Sequence, residues 1–364
     1  MAKKMNSSTL DAAGNGRIDW IDIAKGIGIV LVVVGHTALE DSGLGRFIYS
    51  FHMPLFFFLS GYLFSVHKYT GFAAFIKKKA TTLLIPYFLF ASVSYIYFLL
   101  RYHFGDANYY KDLDLLQVFT GIFYSAGTRE WMDFNLPLWF LTCLFVVECM
   151  YYMFSRMVQT NSGMMLILVI CSAVGYLDSL LNSLKLPWGI DVAFTAVVFY
   201  GMGNLLKPAY RSLLSRPAVQ QAAAACICLC VNLFLLRHQV NLNMKRYGDY
   251  FDFYLAAAAG ITFCLLIASL IRTLPPLAYL GRQSLIIMSF HMPLLNISTK
   301  VLNHVGVIPN PYAFEGMRAV ITLLLLVPVI YGLNKFAPFA LGKRKKTVQA
   351  DRSQWMDRTN RHPV

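Results

Sequence analysis

Long apolar segments separated by short polar connections run through almost the whole chain. They predict ten helices of membrane-spanning length, at 20–39, 47–66, 80–100, 137–155, 164–183, 189–206, 219–237, 251–271, 281–303 and 317–336. A helix needs about 20 mostly apolar residues to cross a bilayer. A shorter apolar segment, 115–124, predicts a helix lying at the membrane interface. The pattern therefore predicts an all-α, polytopic integral membrane protein with about ten transmembrane helices.

The composition of the 364-residue chain agrees with this pattern. Hydrophobic residues make up 57% of the chain and charged residues 14%, whereas a soluble domain averages about 45–50% and about 25%. These values exclude a disordered chain, a disulfide-stapled secreted domain and an ordinary cytosolic enzyme. The seven cysteines lie in apolar segments, which is typical of small buried residues and not of a disulfide framework or a metal site.

The formal net charge of +14 would suggest nucleic-acid binding in a soluble protein. The chain has no nucleic-acid-binding motif, however, and its basic residues fall in short loops and in the C-terminal tail. With the N-terminus inside, 21 of the 32 Lys and Arg residues lie on the cytoplasmic side, which favours two cytoplasmic termini. The predicted organisation is a cytoplasmic segment (1–19), a transmembrane domain (20–340) and a basic cytoplasmic tail (341–364) that contacts anionic lipid headgroups.

Ionisable residues inside spanning helices are costly and are therefore functional candidates. In the first predicted helix, Asp22 and Lys25 are three residues apart, so they share a face and can pair. Lys25 and His36 are eleven residues apart, or about three turns, which predicts one face and a rise of about 16 Å. Lys25 then lies near the cytoplasmic end and His36 near the outer end. The structural alternative is a snorkelling Lys25–Asp22 pair and a hydrogen-bonded His36.

The segment SFHMPL occurs twice, at 50–55 and at 289–294. It contributes His52 to the second predicted helix and His291 to the ninth. His52 is predicted at a depth similar to that of His36. An inverted repeat and the convergent use of His-x-Pro at a kinked polar site both account for the echo. Histidines can bind a metal, but no carboxylate or cysteine lies beside these three in the sequence, so no metal site is predicted.

Two further ionisable residues belong to the predicted substrate-binding or cofactor-binding set. Glu148, in the fourth predicted helix, can pair with a buried cation or accept a hydroxyl hydrogen bond. Arg282 lies at the start of the ninth helix, at the predicted membrane interface. The longest predicted outer loop, 101–136, combines Asp and Glu with Tyr and Trp. This mixture suits a carbohydrate surface and equally suits a helix at the lipid interface.

Four segments, in order along the chain, resemble the acyltransferase-3 family of membrane proteins, which O-acylate cell-surface carbohydrates and some other acceptors. They are DIAKGIGIVLVVVGH, FHMPLFFFLSGYLF at 51–64, NLPLWFLTCLFVVE at 135–148 and LGRQSLIIMSFHMPL at 280–294. The first segment matches the family signature of a basic residue, ten residues and then His, here Lys25 and His36. The family more often has Arg at the basic position, and Lys keeps the charge without the bidentate fork. The subgroup resembled is that of the fucose-4-O-acetylase and enterobacterial-common-antigen acetyltransferase-like proteins.

The resemblance implies a multi-pass O-acetyltransferase of a bacterial cytoplasmic (inner) membrane. It implies acetyl-CoA as the donor co-substrate, no tightly bound cofactor, and a glycan or lipid-linked saccharide as the acceptor. Lys25 would hold a phosphate or a pantetheine polar group, with Asp22 orienting it. His36 would be catalytic, as a general base or as a covalent acyl carrier. His52 or His291 would orient His36 or the acceptor.

Several alternatives stay open at this point. The basic stretch 77–79 can bind nucleotide phosphates, but a charge run that sets topology is the favoured explanation. A transporter or flippase would use the same polar residues as a permeation path and would consume no acetyl-CoA. A glycan-binding protein without catalysis is a further rival. The ordered set of motifs favours the enzyme.

Overall fold

The computed structural model describes residues 19–37, 42–105, 107–181, 184–306 and 310–342. The described part of the chain is helical, and its one β-bridge joins Asn241 and Arg246. Its α-helices are α1 (Asp19–Gly35), α2 (Gly43–Leu63), α3 (Phe72–Lys79), α4 (Ile85–Phe104), α5 (Ala107–Tyr110), α6 (Leu115–Tyr124), α7 (Arg129–Met132), α8 (Trp139–Met157), α9 (Asn161–Leu180), α10 (Ile190–Leu205), α11 (Lys207–Leu214), α12 (Ala218–Leu235), α13 (Tyr250–Ile271), α14 (Pro275–Arg282), α15 (Ser284–Val305) and α16 (Pro311–Phe336).

Each of the ten predicted segments contains one long helix. The third runs further than predicted, because α3 continues through a π-helical turn (Ala80–Leu84) into α4 and gives 33 helical residues, Phe72–Phe104. The predicted interfacial segment is also a helix, α6. The cytoplasmic segment 1–19 and the tail 341–364 lie outside the described residues, except for Asp19 and the first two residues of the tail.

Seven helices of the described chain are long and apolar enough to cross a membrane. An eighth crossing results if Pro187–Leu205 and Lys207–Leu214, which meet at 59°, form one bent span. Helix α1 has 17 residues, fewer than the about 20 that a bilayer requires. The multi-pass helical architecture is thus confirmed. The count of ten crossings and the cytoplasmic side of both termini stay predictions.

Helices α1 and α2 lie at the centre of the bundle. Helix α1 packs against α2, α13, α14 and α15, and α2 packs in addition against α10. Their inward faces carry buried aliphatic and aromatic side chains such as Ile29, Phe51 and Phe58. By contrast, α9, α12 and α16 expose long apolar faces, as expected of helices that contact lipid. The buried polar residues of these two helices, Asp22, Ser50 and His52, are therefore enclosed by protein.

Glycines allow the central helices to approach closely. A Cβ on Gly61 of α2 would clash with the Tyr200 carbonyl oxygen of α10, and a Cβ on Gly203 would clash with the Phe58 carbonyl. Small residues serve this purpose in membrane helix pairs, where van der Waals packing replaces the hydrophobic drive. Gly61 therefore serves the close packing of α2 against α10.

We expect Gly61→Ala to lower the unfolding temperature of the purified protein in detergent. The added methyl group must displace backbone, and overpacking of this kind costs about 1–3 kcal/mol. Gly332→Ala is the matched control, because a Cβ there meets nothing within 4 Å and alanine favours a helix. Equal melting temperatures for the two variants would contradict the close α2–α10 contact.

Candidate active site

Two cavities lie one beyond the other along α1. The first, the Lys25 cavity, has a volume of about 230 Å³. Apart from Lys25, its polar lining consists of the hydroxyl residues Ser60, Thr82 and Ser284, and the remaining lining is apolar or aromatic. The second, the His36 cavity, has a volume of about 310 Å³. Its lining includes His36, Tyr49 and His52, with residues of α15 and of the connection between α12 and α13.

Three apolar side chains line both cavities: Val32 of α1, Met53 of α2 and Met288 of α15. Val32 is seven residues after Lys25 and four before His36. At 3.6 residues per turn, these spacings place all three residues on one side of α1 and its last turn. Methionine side chains are flexible and adapt to what they contact. The two cavities therefore adjoin at a deformable apolar boundary.

His36 directly follows α1, whereas the predicted helix extended to residue 39. The backbone N–H of His36 still donates to the Val32 carbonyl at 3.1 Å. This bond fixes the His36 backbone against the last turn of α1. Thr37 Oγ1 donates to the Val34 carbonyl at 2.7 Å and satisfies one of the carbonyls that a helix end leaves unpaired. This local capping ends the helix earlier than the apolar pattern suggests.

The structure brings His36 together with both histidines of the repeated segment. His36 Nδ1 lies 3.4 Å from Tyr49 Oη. The His36 ring centre lies 5.1 Å from that of His291, and the Tyr49 ring centre lies 4.9 Å from that of His52. One histidine cluster thus gathers side chains from α2, from α15 and from the end of α1. The catalytic and orienting roles of these residues stay predictions.

His52 and His291 both hydrogen-bond to carbonyls of the preceding helical turn. His52 Nδ1 lies 2.8 Å from the Ile48 carbonyl oxygen. His291 Nδ1 lies 3.1 Å from the equivalent Ile287 carbonyl oxygen and 2.8 Å from that of Met288. Because a carbonyl only accepts, Nδ1 is the donor in both rings, and Nε2 of each neutral ring is an acceptor. The Nε2 atom of His291 is buried and has no hydrogen-bond partner among the described residues. The cluster therefore contains an acceptor nitrogen that the protein leaves unused.

Pro293 frees a carbonyl beside this cluster. Proline has no N–H, so the Ser289 carbonyl one turn earlier lacks its usual helical partner. Asn135 Nδ2 donates to that oxygen at 2.6 Å and also to the Ser94 hydroxyl at 3.0 Å. This amide is 2% exposed. Asn135 therefore holds, through the Ser289 carbonyl, the part of α15 that carries His291.

At the other end of α1, Asp22 has a partner that the spacing does not predict. The Asp22 carboxylate lies 3.7 Å from Arg282 Nη1 of α14, in addition to any interaction with Lys25. Helix α14 comes this close because Gly281 lacks a side chain, and a Cβ there would clash with the Asp22 carbonyl. Arg282 and Asp22 thus form an inter-helix ion pair next to Lys25, which lines its cavity.

Glu148 lies one turn beyond Leu144, a residue of the Lys25 cavity lining. Its Oε1 atom accepts a hydrogen bond from Lys79 Nζ at 2.7 Å, and the carboxylate is almost fully buried. The second oxygen, Oε2, has no hydrogen-bond partner among the described residues. Glu148 thus pairs with Lys79, whose side chain is 19% exposed, and its role in substrate or cofactor binding stays a prediction. Because Lys79 pairs with Glu148, its charge is already neutralised, unlike a free lysine of the basic stretch 77–79 that could bind a phosphate.

The aromatic side chains of the outer loop contact one another. The Tyr124 and Trp131 rings stack with centres 4.4 Å apart, and Tyr109 Oη donates to Asp133 at 3.0 Å. Burial raises the pKa of Asp133, although the Tyr109 hydrogen bond and the nearby arginines oppose the shift. The carbohydrate surface and the interfacial location both stay predictions for this loop.

Two features of the cavity lining were not predicted. One is Tyr49, whose position three residues before His52 on α2 was a usable signal. The other is a hairpin between α12 and α13, defined by reciprocal backbone hydrogen bonds between Asn241 and Arg246 and called here the outer hairpin. Its sequence, NLNMKR, predicts only a polar connection, so nothing local indicates that it lines the cavity of His36.

No group of three or more His, Cys, Asp or Glu side chains in the described part of the chain is arranged to hold a metal ion.

Comparison with known families identifies the chain. A family model described as an acyltransferase domain, of the acyltransferase-3 type, matches residues 18–334. The match includes both cavities and every predicted site residue from Asp22 to His291. No curated protein and no solved structure gives a significant match. The protein therefore belongs to the acyltransferase-3 family and is a multi-pass membrane acyltransferase.

Proposed function

We propose that this protein is an O-acetyltransferase that moves an acetyl group from cytoplasmic acetyl-CoA to a hydroxyl of a cell-surface or lipid-linked glycan. The observation that carries the proposal is the pair of adjoining cavities along one face of α1. One is lined by Lys25 and hydroxyl side chains, and the other by His36 and its neighbours. A bacterial inner-membrane location follows from the same proposal, because donor and acceptor would then lie on opposite sides.

The Lys25 cavity suits the pantetheine arm of the donor. That arm has a length of the order of 15–20 Å, comparable with the rise of about 16 Å between Lys25 and His36. In this proposal the Lys25 ammonium binds a phosphate or a pantetheine carbonyl, since charged hydrogen bonds are the stronger ones. Ser60, Thr82 and Ser284 bond to the pantetheine amides. The thioester then reaches the boundary at Val32 and the two methionines.

His36 performs the chemistry in this proposal. Its neutral imidazole removes the proton from the acceptor hydroxyl while that oxygen attacks the thioester carbonyl. The C–S bond then breaks, and His36 returns the proton to the departing CoA thiolate. For this role Nε2 must be the base, so Nδ1–H donates to Tyr49 Oη. The alternative, in which His36 carries the acetyl group covalently, uses the same nitrogen as the nucleophile.

Membership in an acyltransferase family favours this enzyme over the transporter or flippase. The transporter predicts that acetyl-CoA is neither bound nor consumed. Saturable binding of labelled acetyl-CoA by the protein in lipid, together with release of CoA, therefore tests the proposal directly. Absence of both would contradict it.

A blocked cavity boundary gives a second test. Met288→Trp places a larger, rigid side chain between the cavities, and we expect acetyl transfer to fall about tenfold or more, because small displacements of a reacting group are costly. Binding of acetyl-CoA should weaken less. Met165→Trp is the matched control, because Met165 is 58% exposed on α9. Full activity of a stably folded Met288→Trp protein would contradict a donor path through this boundary.

A further inference from the structure

The outer hairpin forms one wall of the His36 cavity. Asn241, Asn243 and Met244 line the cavity together with Gly127 and Trp139. Asn241 Oδ1 accepts a hydrogen bond from the Met244 N–H at 3.1 Å, which closes the turn from inside. Asn241 Nδ2 makes no hydrogen bond to the described residues. The hairpin therefore offers an amide donor to whatever occupies the cavity.

Buried charges hold this hairpin in place. Lys245 Nζ lies 2.9 Å from Asp178 of α9 and 3.4 Å from Asp191 of α10. Its side chain is 6% exposed, and its backbone has a φ of +55°, a conformation that costs energy outside glycine. A surface loop without a role would not require a buried lysine in this conformation. The two carboxylates anchor the hairpin to two spanning helices.

A second anchor acts at the neighbouring residue. Asn243 Nδ2 donates to the Gly127 carbonyl at 2.5 Å, and Lys185 Nζ donates to the Asn243 carbonyl. Lys185 Nζ also lies 3.6 Å from the Asp191 carboxylate. Burial lowers the pKa of Lys185, and Asp191 opposes that shift. Two lysines and two aspartates thus fix the hairpin, and their charges balance within the anchor.

The cavity that results is uncharged, and its polar groups lie among apolar side chains such as Met53, Leu242 and Met292. Among the described lining residues there is no Asp, Glu, Lys or Arg. The lining combines two asparagine amides with the rings of Tyr49 and Trp139, and with His36 and His52. Amides bond to hydroxyls in either direction, and aromatic faces pack against C–H groups. A charged ligand would lose its hydration here without gaining a counter-ion, which is costly.

We propose that the outer hairpin is the acceptor-binding element, and that the His36 cavity takes a neutral sugar unit with Asn241 bonding to one of its hydroxyls. The inference rests on the proposed function, because it assumes that acceptor and donor meet at His36. Lys245 and Lys185 are positioning residues, since they act through the hairpin. The acceptor unit is therefore uncharged where it enters the cavity, without a uronic or sialic acid carboxylate.

The test uses acetyl-CoA with 4-nitrophenyl glycosides of neutral hexoses and deoxyhexoses, and with the glucuronide, on the full-length protein in lipid. We expect kcat/KM for the best neutral glycoside to exceed that for the glucuronide at least about tenfold. Asn241→Ser keeps an oxygen that can accept from the Met244 N–H but removes the amide donor. We expect it to raise the KM for the neutral glycoside about three- to tenfold, with the KM for acetyl-CoA unchanged.

Asn303→Ser is the matched control, because Asn303 is exposed in the last turn of α15 and should leave both KM values unchanged. Asn241→Ala is a second variant with the same expected direction, and melting temperatures verify that each variant is folded. A preference for the glucuronide, acylation of no neutral glycoside, or an unchanged acceptor KM in both Asn241 variants would overturn the inference. Saturable acetyl-CoA binding in the same preparations separates that result from failure of the proposed function, for which donor binding is also lost.

Discussion

Replacing His36 by alanine is expected to abolish acyl transfer, with a loss of about 10³-fold or more. General acid–base catalysis by one positioned side chain contributes about 10²–10⁴-fold, and the loss is complete if His36 carries the acetyl group. The variant should fold, because the His36 backbone, not its ring, makes the hydrogen bond that ends α1. The measurement is label transfer from radiolabelled acetyl-CoA by wild-type and variant protein in lipid.

His304→Ala is the matched control, since His304 is exposed in the last turn of α15 and should transfer normally. The same assay separates the two mechanisms. Label that stays on the wild-type protein without acceptor, and is absent from His36→Ala, indicates a covalent acetyl carrier. A fully active His36→Ala protein would remove the basis of either mechanism.

Lys25→Ala is expected to lower kcat/KM for acetyl-CoA about 10- to 100-fold, the size of one lost charged hydrogen bond. The loss should lie mainly in the KM for the donor, because Lys25 binds a part of CoA that does not react. Turnover at saturating donor, and the KM for the acceptor, should change little. Initial rates over a range of acetyl-CoA concentrations measure this split.

Lys25→Arg keeps the charge and should retain most activity, since the family more often has arginine at this position. Lys335→Ala removes an exposed lysine near the end of α16 and serves as the control for a general loss of positive charge. If Lys25→Ala lowered turnover as strongly as His36→Ala without a change in donor KM, Lys25 would act on the reacting atoms and not on the far part of CoA.

The chain pattern alone was sufficient to locate the ten long helices, because each apolar segment is long enough to identify by itself. It was also sufficient to align Lys25 with His36, because the helical repeat determines which residues of one helix share a face. The family followed from four motifs in order, and the match over residues 18–334 confirms it. Helix ends were less accurate. The capping bond from Thr37 to the Val34 carbonyl is too local for a hydropathy pattern to register.

The tertiary structure decided which residues of different helices meet. The i,i+3 rule pairs Asp22 with Lys25, but α14 brings Arg282 to the same carboxylate because Gly281 permits close packing. Lys79, at the end of α3, likewise reaches Glu148 of α8 through tertiary packing. Helical periodicity contains no information about which helix faces which, since that depends on how complete surfaces fit together.

The two cavities show the same difference between residues related by sequence spacing and residues brought together by packing. Lys25 lies in α1 and His36 directly follows its last turn, so their relation is a property of sequence spacing. His291 reaches His36 only because α15 packs against α1, and Asn241 reaches the cavity only because Lys245 is anchored on α9 and α10. Sequence therefore determined the helices and the face of α1 that carries the candidate chemistry. Packing between distant segments decided what surrounds that face, because those contacts join residues that no local pattern relates.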